Sequence, residues 1–340
     1  IGFTAGSSGV SLNSKVLLGV GVGLVAIGGA GYLLCRHLRR PEPMPEKWRR
    51  VGTVQRINLF PIKSCGVLVN PGAEEYDCDW LGLGIGELRD RKLMLLTEKN
   101  EMVTGRTYPT LLLIQSKMLA HGLVFSAPSM PDLQLDYKDL QTTGKLVPTD
   151  IFGAKLKAML IDERFDKWFS QFILKTDKGL RLAYYSHAKP VRNTPANLKH
   201  LPHLTDADSG SFGDATSYML MNLSSVADLN KRLEQPVDSL RFRGNFELKM
   251  DVDQPYAEDH WQWIRIGDDA VFRIVAPCTR CIMPNIHHNS GERDADFEPL
   301  KTLRSYRVIT SDSSPVMGVH MGLRQPGSVK LNDVVYVADV

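Results

Sequence analysis

Short apolar runs, broken again and again by Gly, Pro, Asn or Asp, constrain this chain more than any other feature. Residues 51–60 alternate apolar and polar side chains, the period of a half-buried strand. Residues 92–97, 111–116, 122–126, 133–137 and 154–161 continue the pattern in pieces too short for helices. Strands of this length and spacing imply a β-barrel or small sheets. Residues 162–174 break the rhythm. Phe165, Trp168, Phe169 and Phe172 fall near helical spacing, which implies an amphipathic helix packed on a sheet and not an aromatic substrate cage. Further strands are expected at 181–185, 218–222, 241–249 and 264–267, with a closing strand after the Pro326-Gly327 turn. Helices are expected at 224–233, with Ser224 as N-cap, and at 298–306. The fold class is therefore α+β and β-rich.

One strand carries chemistry to its end. An apolar run from Arg273 stops at Pro277 and delivers Cys278, Thr279, Arg280 and Cys281 to an exit loop. Two thiols and a guanidinium admit several readings. A structural zinc site needs four ligands, yet the chain has no second Cys-x-x-Cys, and His287 and His288 follow too closely for finger spacing. A thioredoxin-like redox pair belongs at a helix N-terminus after a βαβ unit, which is not the pattern here. Two inert buried cysteines form the bland alternative. The fourth reading is one thiolate ligand to a metal held mostly by a cofactor, with the other cysteine structural.

Three other places suit an anion. The turn after residue 60 offers the Lys63 ammonium, the Ser64 hydroxyl and backbone donors at Gly66, although solvated turns often look the same. Arg89 and Arg91 share one face if their segment is extended; they form either a phosphate clamp or ion pairs with Asp90 and its neighbours. Arg243 and Asn245 share a strand face in the same way, a cation beside an amide, suited to a phosphate or a heterocycle edge, or else simply solvated. The glycines between Trp80 and Gly86 precede no Rossmann-type helix, which excludes a dinucleotide fingerprint. Residues 187–210 form a long polar stretch, a candidate lid.

Residues 16–34 contain no charge and are mostly Val, Leu, Gly, Ala and Ile. At about 1.5 Å per residue they approach the thickness of a bilayer core. Basic residues gather after this span, from Arg36 to Arg50, and only Lys15 precedes it. That asymmetry implies an uncleaved signal-anchor with the following chain on the cytosolic side, since a cleaved signal peptide carries its basic residues first. Residues 1–50 hold a net charge of +5 against +3 for the whole chain, which leaves −2 for residues 51–340. Nucleic-acid binding is not expected of such a part. The five cysteines, odd in number and irregularly spaced, imply a reducing compartment.

Taken in order, Phe60-Pro-Ile-Lys-Ser-Cys65, Leu88-Arg-Asp-Arg91, Asp228-Leu-Asn230, Phe242-Arg-Gly-Asn245, Tyr256-Ala-Glu-Asp259, Cys278-Thr-Arg-Cys281, the segment from Glu298 to Tyr306 and Pro326-Gly327 resemble the MOSC-domain molybdenum enzymes. More closely they resemble the amidoxime-reducing components of the mitochondrial outer membrane. The resemblance runs from residue 51 nearly to the end and implies three parts: a membrane anchor and basic linker over 1–50, a MOSC N-terminal β-barrel-like domain over 51–178, and a MOSC domain with a β-barrel core over 179–340. It implies a molybdenum–molybdopterin cofactor (Moco) with Cys281 as the metal ligand. Lys63, Ser64, Arg91, Asp214, Thr216, Arg243, Asn245, Thr279, Arg280 and His320 then fall at cofactor-binding positions. Asp214 also enters as a candidate proton shuttle beside Cys281. The chain reads Asp214-Ala-Thr-Ser217 where the family usually has Asp-Thr-Ser-Pro, so the contact there departs from the pattern. The implied activity is reduction of amidoximes, N-hydroxyamidines and hydroxylamines, with electrons from cytochrome b5 and NADH-cytochrome b5 reductase. The implied location is the mitochondrial outer membrane, facing the cytosol. The alternatives are a sulfur-transfer protein with a persulfide on Cys281, and a non-enzymatic membrane-anchored adaptor.

Overall fold

The computed structural model describes residues 42–340 apart from 142–143, 195–197, 199–200, 202, 312 and 339–340. The uncharged stretch 16–34 lies outside the described residues. Among the described residues no helix is long and apolar enough to cross a membrane. Residues 47–340 form one compact unit.

Its centre is a closed barrel of seven strands. Around the barrel they run Arg49–Ile57, Phe246–Met250, Tyr218–Asn222, Val316–Gln325, Ala270–Thr279, Trp263–Ile266 and Val334–Ala338, and the last pairs back onto the first. All pairs are antiparallel except Tyr218–Asn222 with Phe246–Met250. That parallel pair needs a crossover, and the helix Leu223–Asn230 lies within it. Tyr218, Phe246 and Phe272 pack their rings together with centroids 5.0–6.1 Å apart. Closure leaves no exposed edge and holds the strand ends in a fixed frame. The barrel borrows its first strand from the chain's opening region, so a cut between residues 178 and 179 would part Arg49–Ile57 from its partners.

Three four-stranded sheets accompany the barrel. In one of them Leu146–Ile151 and Ala154–Leu160 form a hairpin, followed by Leu180–Tyr184 and Leu93–Thr97. The expected aromatic helix spans Glu163–Leu174, with Asp162 as N-cap accepting from the Arg164 amide. It buries Phe165, Trp168, Phe169 and Phe172, each worth about 2–3 kcal/mol relative to exposure.

Several expectations need correction. Residues 109–113 form a 3₁₀ helix, and the strand begins only at Gln115, because Pro109 presets a helical φ. The strand bearing the cysteines does not stop at Pro277 but continues to Thr279. It passes the proline at a register shift, where the missing N–H costs no ladder bond. Residues 241–245 are not a strand. A 3₁₀ helix, Ser239–Phe242, ends with Arg243 at φ 58°, and the strand starts at Phe246. Arg91 likewise has φ 51°, so Arg89 and Arg91 are not neighbours on one extended face. Asn222, not Ser224, caps the helix Leu223–Asn230, by accepting from the Ser224 amide.

Candidate cofactor site

A cavity of about 430 Å³ opens where the end of the Ala270–Thr279 strand meets the turn after residue 60. All eleven residues that the resemblance implies for the cofactor line it, whereas Gly66 and Arg89 do not. From the opening region come Lys63, Ser64 and Arg91. The loop before Tyr218–Asn222 supplies Asp214 and Thr216. Arg243 and Asn245 stand between the 3₁₀ helix and its strand, and Thr279, Arg280 and Cys281 follow the barrel strand. His320 arrives from the neighbouring strand, where it pairs with Ala276.

Arg91 and Arg243 are brought together by tertiary packing, not by strand alternation. Both guanidinium groups lie over the Phe60 ring, at 4.9 and 4.2 Å from its centroid. Arg91 pairs with the buried Asp90, whose carboxylate also accepts from the Phe60 amide at 2.8 Å. Arg89 turns elsewhere and pairs with Asp79, so the ion-pair reading holds for it. Arg243 donates through Nη1 to the Cys65 carbonyl at 2.7 Å, while its Nη2 is buried without a hydrogen-bond partner. Burial, reinforced by the Arg91 charge, brings the Arg243 pKa down to about 10. Gly244 lets this turn lie against the barrel, since a Cβ there would sit 2.6 Å from the Met221 side chain. The Asn245 amide is committed to the frame: it donates to the Asn58 carbonyl and accepts from the Met219 amide.

Lys63 is 3% exposed, donates to the Phe212 carbonyl at 2.8 Å and pairs with Asp214. Burial pulls its pKa down to about 8, against the raising effect of Asp214. The depth of the site pushes Asp214 up, but Lys63, Arg91 and Arg106 outweigh that and hold it well below the usual carboxylate range. Its side chain is still 56% accessible, because it faces the cavity while protein surrounds it otherwise.

The two cysteines differ sharply. Cys281 is exposed, whereas Cys278 is buried on the strand. Burial pushes the Cys278 thiol up, yet Arg280 and His320 bring it down to about 7. Arg280 is anchored by the Met317 and Phe242 carbonyls, each at 2.8 Å, and Thr216 bonds the His320 ring at 3.0 Å. Among the described residues no three His, Cys, Asp or Glu side chains gather as a metal cage, whereas a structural zinc requires four ligands. Cys278-x-x-Cys281 ends a strand and does not open an α-helix, unlike a thioredoxin-type pair.

Sequence reasoning missed Arg106, Arg241 and Phe152, which also line the cavity. None carries a local signal; Arg106 and Phe152 come from loops far from the cysteines in sequence, and Arg241 looked like ordinary strand polarity. With them the lining holds six cations, Lys63, Arg91, Arg106, Arg241, Arg243 and Arg280, against the Asp214 carboxylate. Such an excess around a partly enclosed space selects a polyanion. The unpartnered Arg243 Nη2 and the accessible Cys281 thiol add a hydrogen-bond donor and a side chain whose chemistry suits a soft metal. These residues fit a phosphate-bearing, metal-carrying cofactor.

A profile described as MOSC N-terminal beta barrel domain matches residues 51–176, and one described as MOSC domain matches residues 207–336. Mitochondrial amidoxime-reducing component 1 of Homo sapiens is 32% identical, over 94% of this chain and 91% of its own length. The chain belongs to the MOSC-domain family of amidoxime-reducing components. Its mouse relative of the same name is 30% identical, over 94% of this chain and 90% of its own length. Mitochondrial amidoxime reducing component 2 of Bos taurus is 34% identical, over 88% and 87% respectively.

Proposed function

We propose that this MOSC protein is a molybdenum-cofactor-dependent reductase of N-hydroxylated compounds: amidoximes, N-hydroxyamidines and hydroxylamines. The surplus of cations around one accessible thiol carries the reading, together with the names of the relatives. Bound there, the cofactor supplies the two-electron reduction of an N–O bond to amine and water.

The chain's own residues bind, orient and move protons. Arg91 and Arg243 take the cofactor's phosphate, with the free Nη2 of Arg243 as one donor. Cys281 supplies the thiolate ligand, and Arg280 backs it with positive charge fixed by two carbonyls. Loss of water from an N-hydroxy group consumes protons. Asp214, ionised at neutral pH, holds Lys63 in its charged form. Lys63, with its pKa near 8, is the better proton donor of the pair, and the ionised Asp214 carboxylate pairs with its ammonium.

The stretch 16–34 anchors the protein in the mitochondrial outer membrane with residues 47–340 in the cytosol; the relatives' names support the organelle alone, and the basic flank supports the orientation. Cytochrome b5, reduced by NADH-cytochrome b5 reductase, supplies electrons one at a time. The decisive experiment is elemental analysis of the full chain and its cysteine variants. Molybdenum is expected near one per chain, lost in Cys281→Ala and retained at least in part in Cys278→Ala. A protein that holds only zinc, or no metal, refutes the reading.

A further inference from the structure

The hairpin between Leu146–Ile151 and Ala154–Leu160 turns in two residues, since Ile151 pairs directly with Ala154. Both loop residues, Phe152 and Gly153, have positive φ, 50° and 92°. Such turns strongly favour Asn-Gly, Asp-Gly or Gly-Gly, because an L side chain at the first position meets its own backbone. A phenylalanine there breaks the local rule, and it does so while 40% exposed, which burial cannot explain. The turn is otherwise well built: the Asp150 carboxylate accepts from the Gly153 amide at 2.6 Å. An unfavourable residue held at a cavity wall is the kind of local cost that function retains.

The ring lines the cavity and is held by two of its cations. The Arg106 guanidinium lies 4.5 Å from its centroid and the Lys63 ammonium 5.5 Å. Met283 adds an apolar, adaptable side chain to the same lining. Lys63 links the ring to the Asp214 pair, so Phe152 adjoins the proton-handling side of the cavity.

We infer that Phe152 is a specificity-determining residue, an aromatic platform that receives the flat apolar substituent of the N-hydroxylated substrate and favours aryl over alkyl amidoximes. This rests on the reductase reading and adds a preference within it. Offset or edge contact between rings is the source of the selectivity, and the cations fix the platform's orientation before substrate arrives.

The test compares benzamidoxime with acetamidoxime, which share the reacting group and differ only in phenyl against methyl. Full-chain holoenzyme is assayed as wild type, Phe152→Asn and Phe152→Tyr, and equilibrium dialysis measures binding of each compound to the oxidised protein. In Phe152→Asn the preference for benzamidoxime, as a ratio of kcat/KM and of Kd, is expected to fall about five- to tenfold, mainly through KM. Phe152→Tyr restores it. The same Asn variant is expected to melt about 2 °C higher, because Asn suits the turn. An unchanged ratio, or an equal loss for both compounds, overturns the inference and leaves the reductase reading standing. A lower melting temperature in Phe152→Asn also overturns it, because the ring would then be serving the fold. A wild-type holoenzyme that reduces neither compound overturns both.

Discussion

Arg91 and Arg243 stack on the same phenylalanine, yet replacing each by methionine should affect stability very differently. Arg91 neutralises Asp90, a carboxylate only 3% exposed. Arg91→Met leaves that carboxylate with the Phe60 amide but without its ion-pair partner. Breaking a buried pair in this way costs about 3–5 kcal/mol, and the partial exposure of Arg91 places the loss near 3. For a protein of this size that lowers Tm by roughly 6 °C. Arg243 has no carboxylate partner within its own hydrogen bonds, and one of its nitrogens is unpaired. Arg243→Met removes a donor from the Cys65 carbonyl, a loss of about 1 kcal/mol, but also relieves a poorly solvated cation. The two nearly cancel, so the apoprotein should move by less than about 1 kcal/mol in either direction. Anion binding should respond in both variants. A charge-assisted bond is worth about 1.5–3 kcal/mol, so Arg243→Met should weaken phosphate binding about ten- to hundredfold. The assays are chemical denaturation of the full-chain apoprotein, calorimetric titration with inorganic phosphate, and molybdenum content after expression. If Arg243→Met destabilises the protein as much as Arg91→Met, or leaves phosphate affinity unchanged, then Arg243 is structural and the reasoning fails.

Three further outcomes are expected. Asp214→Asn removes the charge that raises the Lys63 pKa, so Lys63 should titrate below about 8, visible by NMR of the labelled amine. Because the folded Lys63 pKa lies below the ordinary 10.5, the unfolded chain holds that proton longer; in the wild type this contribution to stability should grow from about pH 8 to 10.5 and be lost again as pH falls through 8. Glu258 is fully buried, accepts from Asn222 and Ser225, and is pushed up to about 7 by burial. Its contribution is present at acid pH and lost as pH rises through 7, so Glu258→Gln, which mimics the neutral acid, should overtake the wild type by about 2–3 kcal/mol at pH 8 in denaturant titrations and show no advantage at pH 4.

Much of the local structure was legible in the sequence because it depends on neighbours along the chain. The aromatic helix needed only the spacing of Phe165, Trp168, Phe169 and Phe172 and the cap at Asp162. The strands at Gly122–Ser126 and Ala154–Leu160 needed only alternation and flanking turns. The cavity loop at Cys278–Cys281 was visible as a candidate because two cysteines and an arginine follow an apolar run there. Misreadings clustered where φ is positive or proline intervenes: Arg91, Arg243 and Pro277 have backbones set by packing and register, which a periodicity of two cannot reveal.

What the sequence determined by itself was the inventory: β-strands with few helices, a pair of cysteines at the end of an apolar run, and scattered cations suited to an anion. Which cations share a cavity was decided only by the tertiary structure. Barrel closure brings Arg49–Ile57 beside Phe246–Met250, and so sets Lys63 and Arg91 near Arg243, more than 150 positions away. The cavity also takes in Arg106 and Phe152 from outside the barrel, which no local pattern marks, because a cavity wall is defined by distance in space and alternation records only distance along the chain.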